Sequence, residues 1–215
     1  NIKDAWWQAF IVSRPDMVGL DSQIMLHPRT WEASGHVTSF SDPLVEDIKT
    51  NKRYRADHLI KAWLETQTDP SLQATSVEDM KLEEMAAFIT DHHITSPDGN
   101  PITAPRAFNL LFETEIGAVA GAKAKVYLRG ETAQGIFSNF KQVLDTTRVK
   151  LPFGIGQIGK SFRNEITTGQ FVFRTLEFEQ AEIEYFFNPQ ASDWQAIMED
   201  WKAKMWQFVT DKLGI

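Results

Sequence analysis

The sequence predicts an α+β fold in which an antiparallel β-sheet is flanked by helices. Two neighbouring segments, 154–165 and 171–187, are rich in β-branched and aromatic residues and are separated only by a short turn at 167–169. Strands that a short turn joins run antiparallel, because a parallel pair needs a long crossover. Apolar residues recur at helical spacing in three further segments: 1–12, 132–146 and 192–213.

Length and composition are those of a folded globular chain. The 215 residues include 22 Lys plus Arg and 29 Asp plus Glu, which gives a net charge of −7. A hydrophobic fraction of 42% predicts one large or two small domains rather than disorder. The absence of cysteine excludes disulfides, thiolate zinc sites and a cysteine nucleophile. We expect no membrane span, and the acidic balance argues against a dedicated nucleic-acid binder.

Short elements alternate with loops in the first half of the chain. In the helix predicted at 57–65, the spacing directs Leu59, Ala62 and Trp63 inward. Ser76 and Asp79 resemble the capping box that opens a helix. The predicted order is a helix at 1–12, a strand at 18–26, a loop at 29–56, a helix at 57–65, a polar linker at 66–75, a helix from Ser76 and an irregular connection at 95–105.

The second half adds a strand at 126–129 and a helix at 132–146 before the two long strands. Ser192 and Gln195 form the predicted capping box of the last helix, 192–213. We expect the apolar stripe of this helix to anchor the core, and its members are Trp194, Ile197, Met198, Trp201, Met205 and Phe208.

Charge is distributed unevenly along the second half. Residues 121–175 carry a net charge of +6, and residues 176–200 carry −7. Alternate side chains of a strand share a face, so the two predicted strands expose one charged face made of Arg163 and Glu165 with Arg174, Gln180, Glu182 and Glu184. Such a face is either a cross-strand ladder of ion pairs or a site for a zwitterionic or polyanionic ligand. We favour the site, because the charged residues lie among aromatic ones.

Two phosphate-binding patterns overlap at 154–161. Gly154, Gly156 and Gly159 match the dinucleotide fingerprint, and Gly159-Lys160-Ser161 completes the pattern of phosphate-loop hydrolases. A strand should precede such a loop and a helix should follow it. Pro152 precedes it here and turn-rich residues follow, so we interpret both matches as accidental. The five histidines lack metal-ligand spacing, and no nucleophile-elbow pattern is present.

One short motif resembles that of a known family. The F-R-x-E signature, which is motif 2 of class II aminoacyl-tRNA synthetases, is matched by Phe162, Arg163, Asn164 and Glu165. Longer segments within residues 1–187 resemble the homodimeric glycyl-tRNA synthetases of that class. They lie at 18–21, 31–36, 40–44, 55–59, 108–112, 131–135, 145–153 and 177–184.

This resemblance implies a class II catalytic-domain fold, incomplete in this chain, and a two-step reaction. ATP and glycine would give glycyl-adenylate and pyrophosphate, and the glycyl group would then pass to the 3′ adenosine of tRNA(Gly). The implied cofactors are ATP and the Mg²⁺ that accompanies it, with no metal site formed by the protein alone. The implied partners are glycine, ATP and tRNA(Gly), in a cytoplasmic homodimer without membrane association.

The resemblance also implies roles for individual residues. Arg163 and Glu165 are the implied catalytic residues, since Arg163 would hold the α-phosphate and Glu165 would lie beside the ATP pocket. The implied ATP-binding residues are Arg163, Asn164, Glu165, Phe173, Arg174, Thr175, Leu176, Glu177 and Phe178. The implied glycine-binding residues are Arg55, Glu131, Phe178, Glu179, Gln180, Ala181 and Glu182.

Carried over by position, the resemblance places motif 1 near 18–31, a family-specific insertion at 40–105 and motif 2 at 155–187. Pro28 would be the motif 1 proline of the dimer interface. Motif 3 and the anticodon-binding domain have no counterpart in 1–215. We therefore expect a partial catalytic domain that is inactive or very weak in adenylate formation by itself.

The sequence departs from the family pattern at three places. Gly130, Leu176 and the pair Thr168-Gly169 stand where the family usually has Pro, Arg and Pro-Arg. The change at Leu176 would remove one ATP contact, and the change at 168–169 would alter contacts with the tRNA acceptor stem. Two alternatives stay open, a non-catalytic synthetase-like paralogue and a phosphate-loop NTPase.

Overall fold

The protein combines helices and sheets, as the predicted α+β class requires. The computed structural model describes residues 1–117, 123–169 and 171–215. Within these residues the chain divides into two compact units, each built from separate stretches of sequence. The first unit comprises Asn1–Ser34, Glu113–Phe162 and Glu177–Ile215, and the second comprises Gly35–Phe112 and Arg163–Leu176. None of the helices formed by these residues is long and apolar enough to cross a membrane.

The helices of the described residues are α1 (Ile2–Trp7), α2 (Pro28–Ala33), α3 (His36–Ser39), α4 (Ala56–Glu65), α5 (Pro70–Gln73), α6 (Leu82–Asp91), α7 (Ala133–Thr147) and α8 (Trp194–Gln207). The strands are β1 (Met17–Gly19), β2 (Met25–Leu26), β3 (Ser41–Glu46), β4 (Arg53–Arg55), β5 (Arg106–Asn109), β6 (Glu113–Ile116), β7 (Ala124–Leu128), β8 (Phe153–Phe162) and β9 (Glu177–Phe186). A 3₁₀ turn spans Val77–Asp79, and α1 and α8 continue as π-helical segments, Gln8–Val12 and Phe208–Leu213.

In the first unit, β8 is the central strand of the sheet β1-β8-β9. It pairs antiparallel with β9 through ten residue pairs, from Phe153–Phe186 to Phe162–Glu177. It pairs parallel with β1, where Met17 lies opposite Gly154. The predicted antiparallel sheet is therefore right for β8 and β9 and wrong for β1, since the long stretch between β1 and β8 permits a parallel return. The second sheet, β2-β7-β6, is antiparallel.

The glycines of β8 make room for neighbouring side chains. A Cβ at Gly156 would overlap the side chain of Ile11, and a Cβ at Gly154 would overlap Met17. The backbone is a continuous strand here, without the loop that cradles a phosphate. This geometry agrees with the interpretation of the phosphate-loop match at 154–161 as accidental.

Helix α7 packs against the sheet β1-β8-β9 through an apolar stripe. Ile136 and Ile155 have no exposed surface, and Phe140 stacks on Phe153 with 5.8 Å between ring centroids. Val143 completes the cluster. Burial of this apolar surface is the main stabilising contribution to the contact between helix and sheet.

The two ends of the chain meet in a second cluster of the first unit. Phe10 and Phe208, one from each π-helical segment, form an edge-to-face pair at 5.1 Å. Trp201 lies under the guanidinium of Arg14 at 4.4 Å. The expectation that the whole stripe is core is wrong, because α8 and its π-helical continuation pack through Trp201 and Phe208 and leave Trp194 51% exposed.

The predicted cap of α8 is one residue off. The Asp193 carboxylate, not Ser192, accepts hydrogen bonds from the backbone N–H groups of Gln195 and Ala196 at 3.0 and 3.2 Å. Serine and aspartate are both good N-cap residues. Asp193 is the N-cap of α8 because its side chain reaches the free N–H groups of the first turn.

The second unit contains the antiparallel sheet β4-β3-β5, which packs against α4 and α6. Ala56, Ile60 and Leu64 form the buried face of α4 and lie against Val45 and Ile89. These residues recur every four positions, so they follow one side of the helix. The prediction of Ala62 as an inward residue is wrong, because Ala62 lies on the exposed side.

The loop predicted at 29–56 is also wrong, since it contains α2, α3, β3 and β4. These elements are three to six residues long and show too few repeats for a periodic pattern. Pro43 lies inside β3 and conceals it further, because proline is rare within strands. Likewise, the strand predicted at 18–26 is divided into β1 and β2, and the helix predicted from Ser76 begins only at Leu82.

The two long strands end earlier than predicted. β8 stops at Phe162 and β9 starts at Glu177, so Arg163, Glu165 and Arg174 lie in the connecting segment 163–176. Their predicted position on one strand face is therefore wrong. The strand propensity of these residues is overridden by local hydrogen bonds, such as that from Gly169 N–H to Arg174 C=O at 2.9 Å.

Asp47 fixes the turn that follows β3. Its carboxylate is buried and accepts hydrogen bonds from Ser96 Oγ at 2.6 Å, from Asn100 Nδ2 at 3.0 Å, and from the backbone N–H groups of Lys49 and Thr50 at 2.9 Å. Burial by itself would raise the pKa of Asp47, but these hydrogen bonds hold it well below its ordinary value.

We expect Asp47→Asn to lower the Tm of the chain at pH 7, because an amide places its own N–H groups against these donors. A lowered pKa in the folded state means that the stabilisation is present above the ordinary value of 3.8 and is lost as the pH falls below it. The Tm difference between wild type and variant, measured by circular dichroism, should therefore shrink from pH 7 to pH 3. Asp98→Asn, which removes only an exposed ion pair with Lys52, should change the Tm little. Equal effects of the two substitutions would contradict the assignment.

Candidate active site

The residues predicted for the site divide between the two units. Each group is described within its own unit. The second unit holds Arg55, Arg163, Asn164, Glu165, Phe173, Arg174, Thr175 and Leu176. The first unit holds Glu131, Glu177, Phe178, Glu179, Gln180, Ala181 and Glu182.

Arg55 ends β4 and precedes α4, which fixes it between two carboxylates. Its guanidinium donates to Asp42 at 2.6 Å and, through two nitrogens, to Asp57 at 2.7 and 3.1 Å. The hydrogen bond to Asp57 raises the pKa of Arg55. Burial would raise the pKa of Asp57, but the two hydrogen bonds from Arg55 lower it. Burial raises the pKa of Asp42, which accepts one hydrogen bond from Arg55.

The segment 163–176 connects β8 to β9, and backbone hydrogen bonds hold its base. Arg163 N–H donates to Leu176 C=O at 3.0 Å, and Asn164 N–H donates to Leu110 C=O at 2.8 Å, which fixes the base of the loop on the second unit. The guanidinium of Arg163 lies 5.3 Å from the ring centroid of Phe40, a cation–π contact. The base of the loop is thus ordered by contacts that do not depend on a ligand.

The far end of the loop exposes aromatic surface beside cationic groups. Phe171 and Phe173 are 92% and 87% exposed. Phe173, Arg174 and His58 line a cavity of about 300 Å³ together with Tyr54, Arg55, Leu59, Thr167, Thr168 and Gly169. Burial lowers the pKa of His58, and Arg55 and Arg174 lower it further against the opposite effect of Asp57. Because Arg55 is paired with Asp42 and Asp57, Arg174 is the residue of this lining that could attract an anion.

In the first unit, one face of the β8–β9 pair carries the predicted glycine-binding carboxylate. Gln180, Glu182 and Glu184 alternate along β9, and Glu182 lies opposite Gln157. The hydroxyl of Thr132, which precedes α7, hydrogen-bonds the Glu182 carboxylate.

Other predicted residues of β9 point elsewhere. Glu177 pairs with Lys160 at 2.5 Å and Glu179 pairs with Lys3 at 2.8 Å, both on the exposed face, which Ala181 shares. Phe178 shares the half-buried face with Gln180. Alternation along the strand thus divides the predicted set of 177–182 into two faces.

Glu184, on the half-buried face of β9, has a raised pKa. Burial raises the pKa of Glu184, and the charges of Glu182 and Glu131 raise it further. Like charges in a partly buried position favour any ligand that brings a positive charge. The face therefore suits an ammonium group.

Three residues beneath this face were not predicted for the site. Arg129 is 2% exposed and donates to the C=O groups of Lys160 and Ser22 at 2.6 and 2.8 Å. Ser22 Oγ donates to Gln157 Oε1 at 2.9 Å. Arg129 was visible in the sequence only as one cation of the basic block. Ser22 and Gln157 gave no signal, because single polar residues are common in strands and turns.

The curated relatives named below are aminoacyl-tRNA ligases. No family model matches the chain. Curated proteins do match, and those compared here are glycine–tRNA ligases, which confirms the resemblance found in the motifs. The chain is 49% identical over 191 residues to the glycine–tRNA ligase of Alkaliphilus oremlandii, which is 88% of the chain and 40% of that protein.

Two further relatives extend the match. Identity is 46% over 207 residues with the glycine–tRNA ligase of Macrococcus caseolyticus, covering 95% of the chain and 44% of the relative. It is 45% over 214 residues with that of Staphylococcus epidermidis, covering 98% and 45%. The chain thus spans less than half the length of the curated relatives it matches.

Gly159 lets Arg129 lie directly on β8. A Cβ at Gly159 would overlap Arg129 Nη2 and lie 3.2 Å from Gln157 Nε2. We expect Gly159→Ala to lower the Tm, because the buried guanidinium must leave its carbonyl acceptors. In an Arg129→Met background, Gly159→Ala should lower the free energy of unfolding by at least about 1 kcal/mol less than it does in the wild-type background. Urea unfolding of the proteins in this double-mutant cycle measures the difference. An equal cost in both backgrounds would show that Arg129 does not explain the glycine.

Proposed function

We propose that this chain supplies the ATP-binding and amino-acid-binding elements of a glycine–tRNA ligase. The observation that carries the proposal is 45–49% identity over 88–98% of the chain to glycine–tRNA ligases. The carboxylates of Glu182 and Glu184 in the first unit, and Arg163 and Arg174 in the second unit, support it. An amino acid brings an ammonium group, and ATP brings phosphates.

Glycine would bind with its ammonium group at Glu131 and Glu182. Thr132 supports this role, because its hydroxyl holds the Glu182 carboxylate in place. Gln180 is held in the same way by Ser161 Oγ, which donates to Gln180 Oε1 at 3.0 Å. Fixed acceptors lose little conformational entropy on binding a small ligand.

ATP would bind along the segment 163–176 with Arg163 at the α-phosphate. A guanidinium suits phosphate oxygens through paired hydrogen bonds, and its charge would stabilise the negative charge that develops as the α-phosphate is attacked. Among the residues that the structure describes, no group of three or more His, Asp or Glu could hold a metal ion. Mg²⁺ would therefore enter with the phosphates of ATP.

In the first step, a carboxylate oxygen of glycine would attack the α-phosphorus, and pyrophosphate would leave. In the second, a ribose hydroxyl of the tRNA 3′ adenosine would attack the glycyl carbonyl carbon, and AMP would leave. No side chain becomes a nucleophile in this scheme, so orientation and charge would supply the acceleration. The class II architecture, the dimer, tRNA(Gly) as partner and the cytoplasmic location belong to the same proposal.

ATP binding to the 215-residue chain, measured by isothermal titration calorimetry, tests the nucleotide part. We expect Arg163→Ala to weaken binding by about tenfold or more, since a charged hydrogen bond is lost. Lys160→Ala should leave binding unchanged, because Lys160 is exposed and paired with Glu177. The opposite result, with loss only in Lys160→Ala, would favour a phosphate-loop NTPase.

A further inference from the structure

A cavity of about 380 Å³ lies within the first unit and is lined by none of the residues predicted to bind ATP or glycine. Its lining comes from the two π-helical segments, Gln8–Val12 and Phe208–Leu213, together with Arg14 and the last turn of α8. Its volume is in the range of small-molecule sites. π-Helical turns are rare and occur often at functional sites, so two of them around one cavity indicate a ligand.

The apolar part of the lining is aromatic. Phe10 and Phe208, the edge-to-face pair between the π-helical segments, both line the cavity and are 3% and 7% exposed. Ala9, which also lines it, has a small side chain that takes up little of the space. An apolar ring placed against these residues would remove aromatic surface from water, which favours binding.

Arg14 is held in place by the protein itself. Its Nε and Nη2 donate to the two carboxylate oxygens of Asp16 at 3.0 and 2.7 Å, and its guanidinium lies 4.4 Å from the ring centroid of Trp201. Its third nitrogen, Nη1, has no acceptor in the part of the chain that the structure describes. A guanidinium fixed in this way loses little conformational freedom when Nη1 donates to a ligand.

Lys212 carries the charge of the lining that a ligand can neutralise. It is exposed and forms no ion pair with residues 1–117, 123–169 or 171–215. The other cations of the lining already have carboxylate partners, Asp16 for Arg14 and Asp200 for Lys204. An anion in the cavity would therefore be attracted mainly to Lys212.

Asp211, the acidic residue of the lining, limits this attraction. Its carboxylate is exposed and accepts a hydrogen bond from Thr210 Oγ1 at 3.1 Å. Its negative charge, adjacent to Lys212 in the chain, weakens the pull on a free anion, and water screens what is left. A ligand must therefore combine an anionic group with an apolar body that contacts the aromatic pair.

We propose that this cavity binds a small carboxylic acid with an apolar body, such as an arylalkanoate. The apolar body lies against Phe10 and Phe208, and the carboxylate accepts hydrogen bonds from Arg14 Nη1 and from Lys212, whose exposed side chain is free to reach it. The site goes beyond the proposed function, since it uses neither ATP nor glycine. A ligand that binds only the folded chain raises its stability.

The test is a titration of the ¹⁵N-labelled 215-residue chain with 3-phenylpropionate, followed by NMR. We expect saturable shifts of the backbone amide signals of 8–12 and 207–212, and a Tm that rises with ligand concentration. The control ligand is 3-phenylpropionamide, which has the same ring and length but no charge. It should bind about tenfold more weakly, because the charged hydrogen bonds are lost.

Two matched lysine variants of the C-terminal helical region locate the carboxylate. Lys212→Gln should lose most of the preference for the acid and bind the amide as wild type does. Lys202→Gln should keep the full preference, because Lys202 lies outside the lining and pairs with Glu199 at 2.7 Å.

Three outcomes would overturn the proposal: no saturable shifts, equal binding of acid and amide by wild type, or an equal preference for the acid in the two variants. Since the titrations contain neither ATP nor glycine, a failure of the proposed function would leave these outcomes unaffected.

Discussion

The pairing of β8 with β9 determines what the first unit can bind. Ten consecutive pairs bring Gln157 opposite Glu182 and Gly159 opposite Gln180. Because side chains alternate along a strand, a slip by one residue would replace this face by the exposed one that carries Lys160 and Glu179. The hydrogen bond from Thr132 to Glu182 depends on the same register.

Charged side chains have different surroundings in the two units. In the second unit, Arg55 is neutralised by two aspartates, so it serves as a fixed part of the fold. In the first unit, burial raises the pKa of Glu184, and the charges of Glu182 and Glu131 raise it further.

The sequence predicted long, periodic elements and missed short ones. Helix α7 and the strands β8 and β9 were recognisable, because ten or more residues repeat a pattern. β3 was not, because Pro43 interrupts a six-residue strand. The motif gave Glu131 and Glu182 as candidates, but the place of Gln157 opposite Glu182 could be found only from the register of β8 and β9. Burial and pairing across distant segments are not encoded in local spacing.

If the acidic face of the first unit binds the ammonium group of glycine, activation of glycine must depend on that face. The most direct measurement is the glycine-dependent exchange of labelled pyrophosphate into ATP, in a protein of the relatives' length that contains this chain. We predict exchange with glycine and its loss in Glu182→Gln, with the fold unchanged by circular dichroism. Exchange at the wild-type rate in Glu182→Gln, or exchange that does not require glycine, would contradict the proposed site.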